Sequence, residues 1–310
     1  MDFEKTNLIT LIIPTRNRPS EMSNLIAALS LQTISLVNME VIVVDSSDQR
    51  VPLDEKKLGK VQSLRHIETK IQSSAVQRNI GLDLVSKESK LIFFLDDDVL
   101  PPRDYFEKLL SFFSDESVVG VSGVAINVSK SNEINQKKSI YFYKKMFTLD
   151  SNKQGSILRS GISIPVKFGS GLAIETSWLI GCAAWRHSAI GQKRFERDFL
   201  GYSLGEDVLF SIKMSKEGKL ITIPNLVVDH RESSLNRPPQ THFWKYWMIY
   251  RWRVCGLQDS NCFTKNFFYW WATLGQLLIL TFLRLLKPAF YRGAILGVLL
   301  GVLNLAGLKK

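Results

Sequence analysis

Several common signatures are missing from this 310-residue chain, and each absence removes a class of chemistry. There are three cysteines, Cys182, Cys255 and Cys262, an odd number with no CxxC pair. That excludes a disulfide framework and a thiolate zinc site, and it fits a reducing cytosol. No GxGxxG follows the first apolar segment and no GxxxxGK[ST] occurs anywhere, which argues against both a Rossmann dehydrogenase and a P-loop enzyme. The N-terminus lacks the charged and apolar regions of a signal peptide. No repeat or low-complexity tract is visible. Acids nearly vanish at the other end: between His242 and Lys310 nine lysines and arginines face one acid, Asp259.

What is present is a chain long enough to bury a full core, with 45% hydrophobic residues and a net charge of +11. Five of the seven tryptophans lie in the basic tail, at 244, 247, 252, 270 and 271. Cations with aromatics point to a membrane surface or a nucleic acid. The tail carries no RNA or DNA motif, and its apolar runs favour the membrane, so no nucleic-acid partner is expected. Run 267–283 is interrupted only by Thr273, Gln276 and Thr281, and run 294–308 by small residues and Asn304. Each is shorter than the ~20 residues of a spanning helix. Helices lying in or re-entering the interface, on the cytoplasmic face, are predicted. A hairpin of two short spans, a buried core helix and an oligomer contact are the alternatives.

Upstream, strand and helix alternate. Residues 8–14 read as a strand. Pro19-Ser20 opens a helix with Met22, Leu25, Ile26 and Leu29 on one face. Strands follow at 39–45, 63–68 and 91–95, a helix at 74–85, an amphipathic helix at 104–113, and a strand at 118–128. This order predicts an α/β fold, a mostly parallel sheet flanked by helices. Residues 129–165 break the rhythm; polar, with an aromatic cluster at 141–147, they read as a mobile excursion near a site, such as a lid. Order returns at 178–186, with a helix over 206–217 ended by Gly218 and strands at 220–223 and 226–230. Composition changes at Arg237-Pro238-Pro239, giving a domain at 1–237 and a C-terminal helical region at 238–310.

The most informative stretch is Leu91-Ile92-Phe93-Phe94-Leu95-Asp96-Asp97-Asp98. Five apolar residues read as a strand buried on both faces. Three carboxylates at its end repel one another and cost stability unless a cation sits among them. Mg²⁺ and Mn²⁺ take carboxylate oxygens and substrate phosphates together, and ligands of open α/β sheets bind beyond the carboxyl ends of strands. The plain alternative is an acidic loop leading to Pro101-Pro102.

The order of parts adds to this. Ile12-Ile13-Pro14-Thr15-Arg16-Asn17-Arg18 closes the first strand, and Val43-Val44-Asp45-Ser46-Ser47 the second. Ser74-Ala75-Val76-Gln77-Arg78-Asn79-Ile80-Gly81 opens a helix. Phe94-Leu95-Asp96-Asp97-Asp98 closes a later strand, and Gly205-Glu206-Asp207-Val208 opens a later helix. From about Leu8 to His230 the series resembles the family 2 glycosyltransferases of the GT-A fold.

The resemblance implies a nucleoside-diphosphate-sugar donor, Mn²⁺ or Mg²⁺ as cofactor, and inversion at the anomeric carbon. It puts Pro14, Thr15, Arg16, Asp45 and Arg78 at the nucleotide, Asp45 on the base or ribose. Asp96 and Asp98 are the outer acids of a DxD motif, Asp98 the direct metal ligand, Asp96 on ribose or metal, and Asp97 between them on the donor. Asp207 matches the general base that takes the proton of the acceptor hydroxyl, with Glu206 positioning base or acceptor; acids that merely stabilise a helix N-terminus are the alternative. His230 is the candidate third metal ligand, or else a strand-end surface histidine. Oxygen plus imidazole suits Mn²⁺ somewhat better than Mg²⁺. Trp178 and Trp185 precede the acidic pair; Trp185 is placed as a stacking surface for an acceptor sugar, with a core role as its rival.

The chain departs from the family pattern in three places: Ser46-Ser47-Asp48 replaces a frequent Asn-Gly-Ser, Leu209 stands where a second Asp often follows, and Lys213 lies near the position of a usual Arg. These bear on the acceptor side. A glycan or lipid-linked acceptor in surface-polysaccharide or glycolipid synthesis is expected. The reading from a different class is a non-catalytic scaffold that binds a partner or membrane through its basic tail.

Overall fold

The computed structural model describes residues 8–126, 138–197, 204–231, 239–258, 262–286 and 288–307. In chain order the main elements are β1 (Leu8–Thr15), α1 (Pro19–Leu29), β2 (Met39–Asp45), β3 (Ser63–Glu68), α2 (Ser74–Asp83), β4 (Ser89–Phe94), β5 (Val99–Leu100) and α3 (Tyr105–Leu110). Then come β6 (Val118–Ile126), α4 (Lys138–Met146), β7 (Ile174–Thr176), β8 (Ala183–Arg186), α5 (Glu206–Met214), β9 (Lys219–His230), α6 (Gln240–Gln258), α7 (Cys262–Leu286) and α8 (Pro288–Gly307). They form two compact units: Met1–Asn132 with Val166–Ser233, and Glu133–Pro165 with Ser234–Lys310.

The first unit is built on one sheet in the order β3-β2-β1-β4-β8-β6-β9-β5, with β7 also paired to β9. Strands β1 to β4 run parallel, in a register that puts Thr15 level with Asp45 and Glu68. Along β1, Ile9, Leu11 and Ile13 enter one core cluster and Ile12 the other. Both faces are therefore covered, which is why these strands read as continuous apolar runs. The α1 residues Met22, Leu25, Ile26 and Leu29 fill the first cluster, as their helical spacing predicts. Beyond β4 the sheet is mixed: β8 lies antiparallel between β4 and β6, while β6 and β9 are parallel.

The expected amphipathic helix at 104–113 is α3 followed by a 3₁₀ turn, Ser111–Ser114. The two strands expected at 220–223 and 226–230 are one, β9, running through Pro224. Proline lacks a ladder donor and reads as a break, yet here it falls where the β6–β9 register shifts between Ser122 and Val124.

The second unit joins the mid-chain insert to the C-terminal helices. The insert differs from the expected lid. Its backbone carbonyls at Ser160 and Arg159 accept from Arg251 Nε (3.0 Å) and Cys255 Sγ (3.2 Å), and Phe147 packs on Trp271 with ring centroids 4.9 Å apart. Of its aromatics, Phe147 finds an apolar partner in α7. The first part of the expected excursion, 129–137, lies outside the described residues, as do the last two residues of the strand expected at 118–128 and the boundary at 237–238. Met248, Cys255, Tyr269, Leu280, Ala294, Val298 and Leu305 form a separate small core. The first apolar run is longer as a helix than expected: within α7, Asn266–Leu285 is long and apolar enough to cross a membrane. The second, Tyr291–Leu305, is shorter.

Candidate active site

The carboxyl ends of β1, β2 and β4 bring three of the sequence motifs together. Ser46 N donates to Thr15 O (3.0 Å), and Gln77, buried in α2, donates from one amide nitrogen to Thr15 O (2.8 Å) and Val44 O (2.7 Å). Gln77 thus fastens α2 across the strand ends and sets where Arg78 projects. Asp45 is buried; its oxygens accept from Ser47 N and Val51 N, both at 2.8 Å, and meet His66 Nε2 at 3.1 Å. Burial alone would raise its pKa, but these hydrogen bonds, led by Ser47, hold it below the usual carboxylate value.

The Asp triplet follows β4, and its three side chains go to different partners. Asp97 turns inward. One oxygen accepts from Thr15 Oγ1 (2.7 Å), the other from Arg18 Nη1 (2.7 Å), and it is 3% exposed. It ties the end of β1 to the triplet, with both its oxygens engaged by Thr15 and Arg18. Burial pushes its pKa up to about 6, with Arg18 opposing. The same Arg18 nitrogen reaches Asp98 Oδ2 at 3.0 Å. Asp96 pairs with Arg78. The repulsion expected to call for a metal is thus met in part by two arginines of the chain itself.

Arg78 is the hub. It is 2% exposed, donates to Glu206 Oε1 (2.8 Å) as well as Asp96, and lies 5.5 Å over the Phe195 ring. Burial works against its charge; Asp96 and then Glu206 outweigh it, and its pKa rises. Ser74 Oγ donates to the same Glu206 oxygen (3.0 Å). The acidic pair opens α5, whose cap is Gly205 at φ +69°, a left-handed conformation that glycine adopts without strain. Asp207 Oδ1 accepts from Val208 N (2.8 Å). Burial, and next the charge of Glu206, raise the Asp207 pKa to about 7. Glu206 is raised too, by burial, against the pull of Arg78. A half-buried carboxylate poised near neutrality is what proton abstraction from a hydroxyl requires.

His230 reaches the triplet through the backbone. The two residues of β5 directly follow Asp98 and pair with the end of β9, Val99 opposite His230, and Arg231 N donates to Asp98 O (2.8 Å). His230 Nε2 lies 3.3 Å from Asp98 Oδ1. That spacing fits two ligands on neighbouring corners of an octahedral cation, about 3 Å apart for ~2.1 Å bonds. Among the described residues no group of three or more His, Cys, Asp or Glu is placed to hold a metal ion by itself. The Asp98–His230 pair offers one oxygen and one imidazole donor, of the kinds that Mg²⁺ and Mn²⁺ take beside phosphate oxygens.

Trp185 is corrected. It is 3% exposed, sits in the second core cluster and packs edge-on against Phe210 at 5.2 Å. A ring so enclosed offers no face to a sugar. Pro14, Thr15 and Arg16 stand at the end of β1 and just beyond, and Arg16 Nε is buried with no hydrogen-bond partner among the described residues. Sequence reasoning passed over Arg18, Gln77 and His66. The first two lie inside quoted motifs, and His66 lies in the strand next to Asp45, but only proximity in space reveals their partners.

Residues 10–172 match the model of a family described as glycosyl transferase family 2. An O-antigen chain rhamnosyltransferase of Salmonella typhimurium is 29% identical over 243 residues, 77% of this chain and 70% of that protein. An uncharacterized glycosyltransferase of Haemophilus influenzae is 38% identical over 97 residues, 31% of each. Among solved structures, a mannosyltransferase from Pyrobaculum calidifontis in complex with GDP-Man and Mn²⁺ is similar with a TM-score of 0.58 and 16% identity, covering 97% of this chain and 88% of that one. S. aureus TarS 1–349 in complex with UDP-GlcNAc is similar with a TM-score of 0.53 and 15% identity, covering 80% and 66%. At these identities the structures speak for the fold alone.

Proposed function

The chain belongs to glycosyl transferase family 2, and from that premise we propose that it is an inverting, metal-dependent transferase that moves a sugar from a nucleoside diphosphate to a hydroxyl of a glycan or lipid-linked acceptor. The observation that carries this is the Arg78 hub: one buried guanidinium joins Asp96 of the triplet to Glu206 of the acidic pair. It supports a donor on the Asp96 side and an acceptor on the Asp207 side of the same strand ends. Asp207, with its pKa near 7, takes the acceptor proton; Glu206, held by Arg78 and Ser74, keeps it oriented and raises its basicity. Asp45 receives the base or ribose beside Pro14, Thr15 and Arg16. Asp98 and His230, with Asp96, would hold Mn²⁺ or Mg²⁺, which would supply positive charge to a departing diphosphate.

The domain division at about residue 237 and a seat on the cytoplasmic face through the C-terminal helices are part of the same proposal. The basic, Trp-rich tail and the apolar stretch Asn266–Leu285 support them. The similarity to an O-antigen transferase supports a role in surface-polysaccharide synthesis.

The test is a thermal-shift screen of nucleoside diphosphates and their sugars, with and without Mn²⁺, on wild type and Asp98→Ala. One nucleotide family should stabilise the wild type more with Mn²⁺ than without, and Asp98→Ala should lose the Mn²⁺ increment while keeping its own melting temperature. An equal increment in both proteins overturns the metal assignment. A product with the donor's anomeric configuration, read by NMR, overturns inversion.

A further inference from the structure

We propose that α4, the helix of the mid-chain insert, is a second membrane-seating element that lies in the headgroup region of an anionic bilayer beside α7. The inference rests on the membrane reading of the C-terminal helices and adds to it a segment from the middle of the chain.

The sequence of α4 is Lys-Ser-Ile-Tyr-Phe-Tyr-Lys-Lys-Met: three lysines, three aromatics and no acid. Phe142 is 68% exposed, Tyr143 54% and Met146 45%. One exposed apolar residue means little, but three within five residues of one helix, beside Lys144 and Lys145, form an exposed amphipathic face. The helix is not free to place that face anywhere. Phe147, at its end, is buried against Trp271, and Trp271 Nε1 donates to Met146 O (2.9 Å). A Cβ at position 275 would lie 2.2 Å from Phe147 Cγ, so this approach to α7 requires Gly275. α4 is latched to the helix that, among the described residues, carries the stretch apolar and long enough to cross a bilayer.

The outer side of α7 exposes Phe267, Trp270, Leu274, Leu278, Phe282 and Leu285, spaced as one ridge. Phe267 stacks on Trp271, the residue that holds α4. Trp271 thus links the end of α4 to that ridge. Charge chooses the occupant. A second copy of this chain would bring the same lysines against these lysines, and like charges repel across a symmetric contact. An anionic lipid surface complements them. Tyrosine, tryptophan and lysine are also the side chains that sit with an apolar body in the acyl boundary and a polar tip in water.

The test uses the full-length chain and vesicles of phosphatidylcholine with or without phosphatidylglycerol. The double variant Phe142→Ser/Tyr143→Ser should bind phosphatidylglycerol vesicles about tenfold or more weakly than wild type, with an unchanged donor-induced thermal shift. Lys144→Glu/Lys145→Glu should lose most of the preference for phosphatidylglycerol. In the wild type, amide hydrogen exchange over α4 should slow when vesicles are added. Unchanged exchange over α4, or a serine variant that binds as wild type does, overturns the proposal and leaves the C-terminal anchor standing. A wild type that ignores both vesicles but dimerises by light scattering overturns both and assigns the face to a second copy.

Discussion

At the scale of the residue, the site depends on where two cations sit, Arg78 buried and Arg18 half-buried. The motif spacing exposed Asp96, Asp98, Arg78 and Asp207, because each occupies a strand end or helix start that the sequence marks. It could not expose Arg18, whose worth comes from lying 2.7 Å from Asp97 and 3.0 Å from Asp98 across some eighty residues of chain. Arg78→Lys should be severe. A single ammonium cannot fork to two carboxylates, and it would leave Asp96 or Glu206 buried and uncompensated. Losing such a buried pair costs roughly 3–5 kcal/mol, to be read in a denaturant titration. Asp207→Asn should behave differently. It removes the proposed base, so transfer should fall ~10²–10⁴-fold with donor affinity near normal, as steady-state kinetics and thermal shift together would show. A base must be deprotonated to work, so the wild-type rate should rise with pH and level off above about 7. Stability runs the other way. The Asp207 pKa is raised from 3.8 to about 7 in the fold, so the proton is held more tightly there than in the unfolded chain. That contribution is fully present below the unfolded value and is lost as pH rises through about 7. The asparagine variant should therefore melt above wild type at pH 8 and alongside it at pH 4.

At the scale of the element, the strands were the most legible part. β2 and β3 have the predicted limits, Met39–Asp45 and Ser63–Glu68; the Val-Ile-Val-Val run of β2, ending in an acid, has few other ways to be buried, and the half-buried β3 pairs beside it. What failed was local punctuation read without its neighbour. Pro224 signals a break only if its position needs a donor, and the shifted β6 register removes that need. The insert failed for a related reason: polarity suggested a loop, while Phe147 and the backbone of 159–160 had partners far along the chain. Gly205 is the element-level point most open to test. Alanine there must adopt φ near +69° at the cap of the helix that carries Glu206 and Asp207. Gly205→Ala should cost about 1–2 kcal/mol by thermal melting and lower kcat more than it raises KM, since the helix start, with the base on it, must shift.

At the scale of the whole molecule, the two units carry different risks. Removing 265–310 takes Tyr269, Leu280, Ala294 and Val298 out of the small core. It also strips Arg251, fully buried, of the Tyr269 carbonyl (3.2 Å) and of Thr273 (3.5 Å). The truncated chain should leave the membrane fraction and still show a donor-induced thermal shift, but from a lower starting melting temperature and with a tendency to aggregate, measurable by light scattering. The second unit is also discontinuous, drawn from 133–165 and 234–310. A growing polypeptide emerges in order, at roughly 5–20 residues per second. The aromatic insert thus leaves the ribosome several seconds before α6 and α7 exist to receive Phe147. For that interval its apolar side chains have only a chaperone or a nearby bilayer to meet, so the timing of synthesis favours first lipid contact from the middle of the chain, ahead of its end.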